Sequence, residues 1–193
     1  MSNLKNFSIS MGDADNDELY TPPILVKPII KYIPKGKRIW CPFDTENSEF
    51  VLMLKEAGFD VAFSHIWNGQ DFFQYEPELN YDYIISNPPF SKKLEVLKRL
   101  YQLGKPFAVI LGLPILNYEE IGNFFFEMNS DVELLMFDKK VSYNGKQASF
   151  NTSYFCRGFL PEKIIFEHLE NNNTGKFFVG SRMLRKKEKT LFD

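Results

Sequence analysis

The stretch Tyr81–Ser91, YDYIISNPPFS, holds the side chains of this chain best suited to chemistry. Asn87 brings an amide, Pro88 a carbonyl and Phe90 a flat ring, and two consecutive prolines hold them in fixed relation. Each proline disfavours the α region for the residue before it, so Asn87 and Pro88 are expected to be extended. Such a loop offers two hydrogen-bond acceptors to an amino group and an aromatic face to a planar base. Just ahead of it, Tyr83, Ile84 and Ile85 form an apolar, strand-favouring run that the prolines end abruptly. The loop therefore falls at the C-terminal edge of a strand, where open α/β sheets bind their ligands.

Asn87-Pro88-Pro89-Phe90 resembles the catalytic loop of amino-methyltransferases that use S-adenosylmethionine, above all the adenine-N6 DNA enzymes. The wider stretch is similar to the small methyltransferases encoded by phages and prophages of Gram-positive bacteria. The resemblance implies an α/β, Rossmann-like class I methyltransferase fold: a mostly parallel sheet with a C-terminal antiparallel hairpin. It implies S-adenosylmethionine as cofactor, no metal, and methyl transfer to the N6 amino group of adenine in DNA. Asn87, Pro88, Pro89 and Phe90 would be the catalytic set. Related enzymes acting on cytosine or on a protein glutamine use near-identical loops. Adenine in tRNA or other RNA, another amide or amino group, and a degenerate fold kept for binding therefore stay open as alternatives.

The same resemblance suggests where the cofactor would sit. Tyr20, Thr21 and Pro22 stand where many such enzymes carry a Thr-Pro that touches the methionine end; a plain helix cap is the other reading. Pro42 and Phe43 match the family's acidic-Pro-Phe-x-Gly-x-Gly loop. Cys41 replaces the acid, and Thr45 and Asn47 replace the glycines, leaving Asp44 or Glu46 to supply the lost carboxylate. Ser64 and His65 occupy the place of the acid that holds the ribose hydroxyls; His65 could equally be structural. Asp71 and Phe72, 16 residues ahead of Asn87, resemble an Asp-Phe pair after the third strand that binds adenine through its amine and its face. An Asp in a turn is also simply a good turn former.

The elements that must position these residues can be read in order. Residues 1–16 are polar and expected to be mobile; 17–180 read as one domain; 181–193 as a basic tail. Thr21 is placed to cap a helix opened by Pro22 and Pro23, with Pro28 kinking or dividing it. Lys37–Pro42 reads as the first strand, Glu46–Ala57 as an amphipathic helix ended by Gly58, and Phe59–Ile66 as the second strand. Ser91 could cap a helix running to Leu103, with Lys92 and Lys93 in its first turn, where cations oppose the helix dipole. Pro106–Leu113 is a continuous apolar run, the pattern of a strand buried on both faces. Asn117–Met128 reads as a helix, and Val132–Tyr143 and Ala148–Phe159 as a hairpin around Asn144-Gly145. Phe150 and Tyr154 there could stack on a displaced base or simply fill the core. Glu162–Leu169 reads as a short helix and Lys176–Val179 as a last strand.

Bulk properties bound the rest. The chain has 193 residues, 44% of them hydrophobic, enough for one well-packed domain. Its net charge of −2 and pI of about 5.8 announce no global basic field, so contact with nucleic acid must come from a local patch. Lys92, Lys93, Lys146 and the tail, with Arg182, Arg185, Lys186, Lys187 and Lys189, are the cations available for it. The two cysteines, Cys41 and Cys156, lack metal-ligand spacing, and a reduced, cytoplasmic setting is the simplest reading. The first residues lack the charged start and apolar core of a signal peptide, and no apolar run approaches the roughly 20 residues that span a bilayer. The oligomeric state is not legible.

Overall fold

Six strands running one way and one running back make the central sheet of the computed structural model, which describes residues 21–143, 146–147, 150–170, 178–179 and 182–183. In chain order the elements are α1 (Pro23–Ile30), β1 (Arg38–Cys41), α2 (Glu49–Glu56), β2 (Asp60–Phe63), β3 (Tyr83–Ser86), α3 (Lys93–Leu103), β4 (Phe107–Gly112), α4 (Glu119–Glu127), β5 (Glu133–Phe137), β6 (Ser142–Tyr143), β7 (Lys146–Gln147), β8 (Thr152–Arg157), β9 (Ile164–Glu167), β10 (Phe178–Val179) and β11 (Arg182–Met183). The sheet order is β2-β1-β3-β4-β8-β5-β9. Only β8 is antiparallel to its neighbours, β4 and β5. This is a Rossmann-like α/β fold with a mostly parallel sheet.

The period-two alternation of strand side chains divides the core into two layers. Ile39, Cys41, Ile85, Ala108, Ile110, Tyr154 and Cys156 face one side, with Leu25, Val26 and Ile29 of α1 and Phe50, Val51 and Leu54 of α2. Trp40, Ile84, Phe107, Val109, Leu111 and Phe155 face the other, with Val96, Leu97 and Leu100 of α3 and Ile121, Phe124 and Phe125 of α4. Every residue of β4 is buried, as its unbroken apolar sequence requires. Gly58 and Gly104 take left-handed backbone after α2 and α3, where a side chain would be strained.

Several local expectations are corrected. The N-cap of α1 is Pro22, without a side-chain cap, and the helix runs unbroken through Pro28. Ser91 lies inside a 3-10 turn, Phe90–Lys92, so Lys92 rather than Ser91 occupies the N-cap of α3. Residues 164–167 form the strand β9 instead of a helix. Two isoleucines and a phenylalanine in sequence suit a pleated edge, and β5 offers them an open ladder. The segment 132–143 is not one strand: β5 stops at Phe137, and Ser142–Tyr143 pairs instead with Lys146–Gln147. The strand β8 inserts between β4 and β5, and β5 and β8 form the expected antiparallel pair. β10 pairs with β11 antiparallel; the tails at 1–16 and 184–193 lie outside the described residues.

Buried Glu133 ties the turn after β8 to β5. Its carboxylate accepts from the backbone N–H groups of Gly158 at 2.9 Å, Phe159 at 3.0 Å and Leu160 at 2.7 Å. Replacing it with alanine strands three donors, two of them on buried residues, and is expected to destabilise the fold by at least about 3 kcal/mol in urea denaturation. Glu133→Gln, which keeps one acceptor oxygen, should lose less.

Candidate active site

The switch point of this sheet lies between β1 and β3. From β1 the chain goes to β2 on one side, and β3 then returns to pair on the other side of β1. The crevice outside the carboxyl ends of these two strands is where ligands of open α/β sheets bind. The loop after β1, residues 42–48, and the loop after β3, Asn87 to Pro89, flank it.

A hydrogen-bonded network joins these loops. The hydroxyl of Ser86, the last residue of β3, donates to Asp44 Oδ2 at 2.5 Å and accepts from the Phe43 N–H at 3.3 Å. The Asp44 N–H donates to the carbonyl of Ser64, just past β2, at 3.1 Å, and the Ser64 N–H donates to the Cys41 carbonyl at 3.1 Å. Trp40 Nε1 donates to Ser64 Oγ at 3.0 Å from the opposite core layer. Asp44 is only 6% exposed, and burial pushes its carboxyl up to about 6 against the opposing hydrogen bonds of Ser86 and Ser48. Of the two acids offered for the lost carboxylate, Asp44 is thus the one built into the sheet edge, while Glu46 is exposed.

The catalytic-loop candidates stand together. Pro88 is buried, Asn87 and Pro89 are half-buried, and the Asn87 amide oxygen is itself buried. Pro89 is extended, with ψ of 129°, and leads into the 3-10 turn that carries Phe90. The Phe90 ring is 8% exposed and meets Phe150 edge-to-face, with centroids 5.4 Å apart. Phe150, open from the sequence to a stacking or a core role, therefore buttresses the loop.

The second loop region departs from the implied pattern, for no strand forms between β2 and β3. His65 instead caps a 3-10 turn, Ile66–Asn68, its Nδ1 accepting from the Trp67 N–H at 3.2 Å. Burial lowers its pKa, in keeping with a neutral ring that serves as acceptor. Asp71 accepts from the Phe73 N–H at 3.1 Å, an Asx turn. Phe72 is 1% exposed, packed against Trp40 at 5.6 Å and Phe43 at 4.8 Å, so its ring belongs to the core. The half-buried neighbour, Phe73, is the ring of this turn that borders the start of α3, where Lys92 Nζ lies 5.2 Å from its centroid.

Thr21 is buried and Pro22 is the N-cap of α1, while Tyr20 lies outside the described residues. Lys93 Nζ lies 5.2 Å from the Tyr118 ring. The Lys146 side chain and most of the basic tail are outside the described residues. Among the described residues no cluster of three or more His, Cys, Asp or Glu could hold a metal, and no helix is long and apolar enough to cross a membrane. Sequence reasoning missed the role of Ser86. Its signal was a hydroxyl at the end of an apolar strand, immediately before Asn87.

No family model and no curated protein matches the chain. Among solved structures it is similar to a methyltransferase subunit of a type I restriction-modification system from Streptococcus thermophilus, at 11% identity and a TM-score of 0.49, covering 88% of this chain and 51% of that one. A modification subunit assigned to a type I restriction enzyme of Vibrio vulnificus is similar at 13% identity and 0.47, covering 83% and 49%. A protein assigned as an RNA methyltransferase of Pyrococcus horikoshii is similar at 15% identity and 0.45, covering 81% and 89%. The chain spans about half the length of the first two.

Proposed function

We propose that this chain transfers a methyl group from S-adenosylmethionine to the N6 amino group of adenine in DNA. The observation that carries the proposal is the Asn-Pro-Pro-Phe loop at the switch point, tied through Ser86 to the acid of the facing loop. The residues present suit the cofactor: Asp44 offers a buried carboxyl for an ammonium group, and Asp71 an acceptor for an adenine amine. S-adenosylmethionine would supply an electrophilic methyl on a positively charged sulfur.

The protein's own task is to make a poor nucleophile attack. The exocyclic amine of adenine is weakly nucleophilic because its lone pair is delocalised into the ring. Asn87 Oδ1 and the Pro88 carbonyl, accepting from its two N–H bonds, favour a pyramidal nitrogen and stabilise the positive charge that develops there. The surplus proton can leave to water after the new N–C bond has formed, so no strong general base is required. Phe90, braced by Phe150, gives the base a surface to stack on, which offsets part of the cost of flipping it from a duplex, a few kcal/mol. Lys92 and Lys93, at the start of α3 beside this loop, would supply cations for phosphate contact.

Incubation with isotope-labelled S-adenosylmethionine and parallel pools of unmethylated DNA, tRNA and protein tests the proposal, with digested products identified by mass spectrometry. N6-methyladenine in DNA is expected. Label in another pool keeps the chemistry and changes the substrate. No label in any pool, from protein shown to be folded, overturns methyl transfer. That outcome would favour a fold kept for binding, a reading to which buried Phe72 and the replacement of loop glycines by Thr45 and Asn47 lend weight.

A further inference from the structure

The sheet ends on β9, whose outer edge meets no other strand among the described residues. Exposed sheet edges normally carry charge, proline or a bulge that discourages pairing. This one presents Ile164 at 54% exposure and Phe166 at 75% on the same face. We propose that β9 pairs with β9 of a second copy of this chain, antiparallel about a twofold axis through Ile165, so that the sheet continues across a dimer.

The backbone restricts how this can happen. Leu134 N–H bonds the Lys163 carbonyl at 2.8 Å, and Asp138 N–H bonds the Glu167 carbonyl at 3.3 Å. Successive residues of a strand direct their N–H and C=O groups to opposite sides, so residues 163, 165 and 167 face β5, while 164 and 166 face outward. Antiparallel pairing must set outward residues against outward residues. The central registers that allow this have the axis through residue 164, 165 or 166.

Side-chain chemistry then selects among them. With the axis through Ile165, Ile164 lies opposite Phe166 of the second copy, and Lys163 opposite its Glu167, each pair occurring twice by symmetry. An axis through Ile164 would oppose Lys163 to Ile165 and Glu162 to Phe166. An axis through Phe166 would oppose Ile164 to His168 and Ile165 to Glu167. Only the axis through Ile165 matches charge with opposite charge and apolar with apolar, the pairings that stabilise adjacent strands. The Lys163 side chain is 63% exposed and only 3.4 Å from Asp131 in its own chain, so it can turn toward the new carboxylate. Glu167, which already pairs with Lys31 and accepts from the Tyr32 hydroxyl, would gain it as a second cation.

A ribbon this short buries less than the roughly 800 Å² per partner of a standard interface, so dissociation in the micromolar range is expected. The two carboxyl edges would face opposite directions, leaving both candidate active sites open.

Sedimentation velocity from about 1 to 100 μM tests the proposal by mass action. The wild-type chain should pass from monomer to dimer, and Phe166→Lys, an exposed change, should stay monomeric. Lys163→Glu should also abolish dimers, and the charge swap Lys163→Glu with Glu167→Lys should restore them. Single cysteines read the register. At the axis two Ile165→Cys residues would have Cα atoms about 4.5 Å apart, within disulfide reach, whereas Ile164→Cys and Phe166→Cys would not meet themselves. The native Cys41 and Cys156 are buried and would not compete. A monomer at every concentration, a dimer that survives Phe166→Lys, or cross-linking best at 164 or 166 would overturn the proposal.

Discussion

Replacing Asn87 with alanine is expected to slow methyl transfer by about 100-fold or more while leaving affinity for S-adenosylmethionine nearly unchanged. The amide oxygen is one of two acceptors proposed to hold the target amine, and its contribution grows as positive charge develops on nitrogen. Losing one such preorganised group typically costs about 10²–10³ in rate, because it acts more on the transition state than on the ground state. The Pro88 carbonyl belongs to the backbone and survives the change, so some turnover should remain. Asn87→Asp, which keeps acceptor oxygens in the same place, should retain more of it. Asn87 is half-buried on a loop, so the thermal midpoint of the alanine variant should stay within a few degrees of the parent. Single-turnover rates, calorimetric titration with cofactor and a melting curve separate these effects. Full activity in a folded Asn87→Ala protein would sink the assigned role.

Asp44→Asn should do something less intuitive: weaken cofactor binding and stabilise the empty protein at neutral pH. The folded-state pKa of Asp44, about 6, lies above the ordinary aspartate value of about 3.9, and burial is the main cause. Between those values the folded chain holds a proton that the unfolded chain has released. Stability associated with this group is therefore fully present below about pH 4, is lost as pH rises through about 6, and stays lost above it. That upward displacement corresponds to about 3 kcal/mol. Asparagine removes that penalty but weakens the hydrogen bond from Ser86, worth about 1 kcal/mol, so a net gain of about 2 kcal/mol is expected at pH 8 and none at pH 4. A bound ammonium would favour the ionised carboxylate, so wild-type cofactor affinity should rise as pH passes through about 6, and the variant's should not. Urea denaturation and calorimetry at both pH values check this. An Asp44→Asn protein that is less stable at both, or binds cofactor as before, would show that the carboxyl serves only to hold β1 to β3.

The two predictions concern the ends of one hydrogen-bonded bridge. Asn87 follows Ser86 directly, and Ser86 donates to Asp44, so a change in the charge of Asp44 reaches the candidate catalytic loop through a single residue. Coupled behaviour of the two variants, measured as a double-mutant cycle, would report how far this bridge positions the amide.

Much of this arrangement was legible in the chain itself. Prolines at 88 and 89 dictate an extended, rigid loop wherever they occur, and a wholly apolar run such as Phe107–Gly112 has to be buried on both faces. The α/β alternation, the strand ahead of Asn87 and the glycine stops at 58 and 104 follow from such local rules. Other features depended on neighbours. Ile164–Glu167 is a strand because β5 presents an open ladder, an opportunity that no local propensity expresses. Phe72 carries the same side chain whether it borders a ligand or fills the core, and Trp40 and Phe43 decide that it fills the core. Asp44 was one of two nearby acids in sequence. Burial beneath Ser86 and Ser64, which are 42 and 20 residues away along the chain, gave it a raised pKa and a place at the switch point. Sequence alone thus determined the loop that could do chemistry, since its rigidity is covalent and local. The tertiary structure decided which acid faces that loop and which ring braces it, because desolvation and packing depend on residues distant in the chain.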